Sequence, residues 1–184
     1  VDKAALLDRL GAEDRGEYIP YPWREPLVFS VTPTGWWIVG SRDFEIAGAE
    51  RLAELSVGGE AVGCWLTDVA MASEARAFSD GQKVWAILHD CERSNELITE
   101  GDIPEAFAAI HAEARTEQEA DDGEGPPTDY MFEVPQKVVE AICGFGPYIE
   151  PQPEMEFYRL TRPRPTLPGV LGKLSGWFGA RVRK

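Results

Sequence analysis

The sequence predicts an α+β domain built on an antiparallel sheet, and three observations lead there. Short runs rich in Val, Ile, Trp and Ala are joined by tight turns, an Asp-Gly among them. Amphipathic stretches with three- and four-residue spacing lie before, between and after those runs. The series of βα units that a doubly wound sheet needs is missing. The expectation is a sheet of five to seven strands, two or three packed helices and a C-terminal amphipathic tail.

Ala4, Leu6, Leu7 and Leu10 put apolar groups on one side of a short N-terminal helix that Gly11 can end. A Pro- and Tyr-rich loop through Tyr18–Pro26 follows. Leu27–Val31 and Trp36–Val39 read as strands, with Thr32-Pro33-Thr34-Gly35 supplying the turn dihedrals between them. Trp36 and Trp37 then face opposite sides. Ala47–Leu55 reads as a helix that stops before Gly58-Gly59, and Glu60–Asp68 as a strand. Met71–Phe78 and Lys83–His89 flank Ser79-Asp80-Gly81-Gln82, a strong local hairpin signal because Asp-Gly tolerates the positive φ of a two-residue turn.

Asp102 is a plausible N-cap for a helix over Ile103–Glu119, whose apolar face is Ile103, Phe107, Ile110 and Ala114. Glu119–Thr128 is acidic, rich in Gly and Pro, and reads as a loop. Tyr130, Phe132 and Val134 alternate as in a strand, and Gln136–Cys143 reads as a helix. Met155–Leu160 suits a last strand. From Phe157 onward the chain carries seven basic residues and no acidic one. Residues 1–162 are therefore read as one domain and 163–184 as a basic extension. Within it Leu167, Val170, Leu171, Leu174, Trp177 and Phe178 recur at helical spacing, a pattern suited to docking on the domain, on a partner or on an anionic membrane.

The remainder of the chain is strongly acidic, and the whole carries a net charge of -14. That balance disfavours nucleic acid, whose affinity comes from Lys and Arg displacing counterions, and allows a basic protein partner, although acidity also serves simply to keep a protein in solution. Cys64, Cys91 and Cys143 are widely spaced and form neither a zinc framework nor a redox pair. No apolar run reaches the roughly 20 residues that span a bilayer, and no secretory signal is legible, so a cytoplasmic location is expected. Neither a cofactor nor a metal is implied. The sequence is silent on oligomeric state.

Gly35-Trp36-Trp37, Gly81-Gln82-Lys83-Val84-Trp85 running on to His89-Asp90, and Asp129-Tyr130-Met131-Phe132-Glu133-Val134-Pro135 with Gly144-Phe145 carry a resemblance. On these residues the chain from about 27 to 145 resembles a family of small bacterial soluble proteins with no established activity. The resemblance implies no catalytic residue. The acidic α+β character is also similar in class and charge to that of some bacterial immunity proteins.

Glycine-rich phosphate loops, GxSxG and metal-spaced His pairs are all missing from the sequence. The chemistry-bearing candidates are His89 and Cys91, which strand alternation places on one side, with Asp68 or Glu74 available to orient the imidazole. Candidate binding residues are Trp36 and Trp37, if one of them is exposed, the acidic set Glu117, Glu119, Asp121 and Asp122, and Trp177 in the tail. The functional expectation is a noncatalytic bacterial interaction module, immunity-like, that offers an acidic face to a protein partner. The alternative is a small hydrolase or transferase working through His89 and Cys91.

Overall fold

The computed structural model describes residues 2–121, 128–146, 155–162 and 178–183. It is α+β. Nine strands are present among the described residues: β1 (Glu13–Tyr18), β2 (Leu27–Val31), β3 (Trp37–Ser41), β4 (Glu60–Thr67), β5 (Ala72–Ser79), β6 (Gln82–Asp90), β7 (Ser94–Gly101), β8 (Tyr158–Thr161) and β9 (Phe178–Arg183). Eight of them form two four-stranded antiparallel sheets, β1-β8-β2-β3 and β4-β5-β6-β7. β9 lies between β3 and β4, antiparallel to both, and so joins the two into one order. The helices are α1 (Lys3–Leu10), α2 (Ala49–Leu55), α3 (Ala106–Ala120) and α4 (Val134–Cys143).

The expected five to seven strands and two or three helices are thus too few, for identifiable reasons. β1 and β7 are the outermost strands, and their sequences, EDRGEY and SNELITEG, are mostly polar. An edge strand buries little and needs no apolar alternation. Phe178, expected to continue a helical face, instead begins β9. Residues 163–177, with Trp177, lie outside the described residues. Tyr130–Glu133 is a 3-10 turn rather than strand, because the Asp129 side chain accepts the Phe132 N–H and caps it. α3 begins at Ala106, past Pro104, without the expected Asp102 cap.

Period-two alternation sends the strands' apolar groups to two cores. Val28, Trp36, Ile38, Val62, Ala75, Trp85 and Ile87 meet α3 and α4 through Ala114, Val134, Val138 and Cys143. Leu27, Phe29, Val39 and Ala61 meet α1 and α2 through Leu6, Leu10, Leu52 and Leu55. Trp36 and Trp37 divide between these cores as the alternation requires. Gly63 permits the close approach of α2, since a Cβ there would stand 2.7 Å from Leu52 Cδ1. The Asp80-Gly81 turn forms as expected, with both residues at positive φ and Ser79 opposite Gln82. Asp80 Oδ1 also accepts the Gly58 N–H at 2.8 Å, tying the hairpin to the loop after α2.

Glu140 on α4 is half-buried, and desolvation raises its carboxyl above the ordinary 4.5 despite the attraction of Lys137. The native state therefore holds this proton more tightly than the unfolded chain. The associated stability is fully present below the unfolded value and is lost as pH rises through the folded one. Glu140→Gln is expected to unfold at higher urea than the parent at pH 7, with the gap closing as pH falls through the raised folded value toward 4.5. An unchanged gap across that range would show that the substitution acts through packing instead.

Candidate groove beside the His89–Asp129 pair

The β5–β6 ladder places Ser73 opposite His89. Both are polar and both are fully buried. A buried polar group must find a partner, and each of these reaches out of the sheet to the turn that precedes α4. Ser73 Oγ donates to the Phe132 carbonyl at 2.7 Å. His89 Nε2 lies 2.7 Å from Asp129 Oδ2. A carboxylate only accepts, so the imidazole proton sits on Nε2. The other nitrogen, Nδ1, is buried and has no hydrogen-bond partner among the described residues.

Asp129 is fixed from a second direction, since its Oδ1 accepts the Phe132 N–H at 3.2 Å. The segment before it is clasped to α3. Gln118 donates from Nε2 to the Thr128 carbonyl at 2.9 Å and accepts the Tyr130 N–H at 3.1 Å. Asp121 accepts the Thr128 N–H at 3.3 Å. These bonds set the Asp129 carboxylate at the wall of an open groove of about 560 Å³, between the Met71 and Cys91 end of the β5–β6 hairpin and the second half of α3. Met71, Cys91 and Met131 supply sulfur-bearing surface. Glu96, Glu119 and Asp129 against Arg115 leave the lining net acidic.

The expected His89–Cys91 pair divides at this point. His89 is 0% exposed, whereas Cys91 follows the end of β6, is exposed, and directs Sγ to the Ala70 carbonyl at 3.4 Å. The group that orients the imidazole is Asp129, neither of the two expected. Glu74 instead accepts from Trp65 Nε1 at 3.0 Å and pairs with Arg76, and Asp68 is exposed in the turn after β4. Cys64 and Cys143 are buried. Burial first, then Cys143 and Glu74, push the Cys64 thiol far above its ordinary value, so it stays protonated.

Of the acidic set, Glu119 lines the groove, Asp121 braces Thr128, and Glu117 is half-buried on α3. Asp122 and Trp177 lie outside the described residues. Trp36 is 4% exposed and Trp37 is half-buried, so both serve as packing groups. Sequence reasoning missed Ser73 and Asp129 as site residues. The available signal was Asp129 standing three residues before Phe132 at the start of a helical segment, the usual place of a capping carboxylate.

Among the described residues no group of three His, Cys, Asp or Glu is arranged to hold a metal ion, and no helix is long and apolar enough to cross a membrane. Comparison of the chain with protein-family models, curated proteins and solved structures gives no match.

Proposed function

We propose that this chain is a noncatalytic protein-interaction module that presents an acidic face to a basic protein partner, in the manner of an immunity protein. The observation that carries the reading is Asp129, a carboxylate held by two hydrogen bonds at the wall of a net-acidic open groove. A charge fixed in advance loses little conformational freedom when a partner arrives, so more of the attraction survives as affinity. The chain's net charge of -14 adds long-range attraction for a basic surface. A cytoplasmic location belongs to the same proposal.

The alternative reading, a small hydrolase or transferase working through His89 and Cys91, draws on Cys91 lining the groove and His89 bonding Asp129 at its wall. It requires a base for the thiol. The His89 ring is wholly buried and spends Nε2 on Asp129, while Cys91 spends its hydrogen bond on a carbonyl, which favours the binding reading.

Capture from a lysate of the source cells distinguishes the two. The full chain should retain a basic protein at low salt and release it at high salt, and the Asp129→Asn/Glu119→Gln variant should retain several-fold less. Failure to retain any specific protein, or retention indifferent to both salt and the variant, would overturn the acidic-face reading.

A further inference from the structure

The groove combines two kinds of surface that are seldom useful together. One part is polarizable and apolar, from Met71 and the buried Met131. The other is anionic, with Asp129 fixed and Glu119 exposed and without an ion-pair partner among the described residues. Glu96 on β7 reaches Arg115 on α3 at 3.3 Å, and both side chains are more than half exposed. A solvated pair of that kind contributes about 0–1 kcal/mol, so an incoming cation can replace Arg115 at Glu96 at little cost. Lys and Arg side chains have the complementary form, an aliphatic stem that lies along apolar surface and a cationic head that needs carboxylates. Thioethers adapt well to such stems. A volume of about 560 Å³ holds one such side chain together with the flanking backbone of a short peptide.

We infer that this groove is a receptor for a Lys or Arg side chain projecting from the protein partner, with the stem against Met71 and Met131 and the cation between Asp129 and Glu119. The inference rests on the acidic-face reading and adds to it the place and the chemical class of the contact. Cys91 serves as a built-in reporter, because it lines the groove and is exposed while Cys64 and Cys143 are buried.

The test measures the rate at which iodoacetamide alkylates Cys91 in the full chain while acetyl-Gly-Ser-Lys-Ser-Gly-amide is titrated in. Parallel titrations use the Arg peptide and the Nε-acetyl-lysine peptide. The Lys peptide, the Arg peptide or both should slow alkylation saturably, at least 5-fold at the plateau, and which of them does so assigns the head group. The acetylated peptide should need at least 10-fold more for the same effect. Glu119→Gln and Asp129→Asn should each raise the half-maximal concentration several-fold, and Glu119→Gln keeps the test valid if Asp129→Asn folds poorly. Equal protection by the acetylated peptide, or no protection by any peptide, would overturn the inference. Capture of a basic protein without peptide protection would place the acidic contact elsewhere and remove the groove. Protection without capture would keep the groove and remove the interaction reading of the whole protein.

Discussion

Gly101→Ala is expected to destabilise the fold by about 3 kcal/mol or more, seen as a fall in the urea midpoint of tryptophan fluorescence. Gly101 ends β7 opposite Trp85 with φ +78°. A Cβ there would stand 2.0 Å from the Val84 carbonyl oxygen and 3.1 Å from Trp85 Cα, both backbone atoms that no rotamer change can move. The same close approach lets the Asp102 N–H donate to Val84 O at 3.0 Å, and that bond turns the chain from β7 toward α3. Relief of the clash therefore also loosens the α3 side of the groove. Gly35 is the matched control, with φ +81° and open space around the position of its missing Cβ. Gly35→Ala should cost only about 1 kcal/mol, the conformational part alone. Equal losses for the two variants would show that the clash at Gly101 is relieved without cost.

Much of the architecture was legible because local chemistry and tertiary position agree. Leu27–Val31 is a strand with the expected bounds. The Asp80-Gly81 turn sets the β5–β6 register, and α2 and α4 follow their apolar spacing. The misses occur where tertiary position overrides the local pattern. β1 and β7 sit at sheet edges where little is buried, so their polar sequences carry no period-two signal. The candidate site was legible by half. His89 stands at the end of an alternating strand and invited attention, but its partner lies 40 residues away in the chain, on a turn whose identity depends on packing against β5 and β6. Strand alternation would set His89 and Cys91 on one side, but β6 ends at Asp90 and Cys91 stands in the turn beyond it. The pattern does not show that the first is buried and bonded to Asp129 while the second is left at a groove.

Ala180→Pro is expected to cost about 3 kcal/mol or more and to split the unfolding curve into two transitions. Ala180 lies within β9, opposite Val39 of β3 and Gly63 of β4. A strand with neighbours on both sides directs every interior N–H to one of them, and proline removes such a donor and forces its ring into the ladder. The location magnifies the effect, since β3 and β4 are connected through β9 rather than to each other. A break there separates β1-β8-β2-β3 from β4-β5-β6-β7, leaving contacts through the helices to hold them together. Trp37 of β3 reports on the first sheet and Trp65 and Trp85 of β4 and β6 on the second, so the two halves should lose fluorescence at different urea concentrations. Arg15→Pro supplies the contrast. Arg15 is exposed in the irregular part of edge strand β1 and has no cross-strand partner among the described residues, a setting in which proline is tolerated at a cost below about 1 kcal/mol. A single transition displaced no further than that of Arg15→Pro would show that the two sheets hold together without β9. The C-terminal strand would then be an accessory to the fold, and the cohesion of the domain would rest on the helices packed across it.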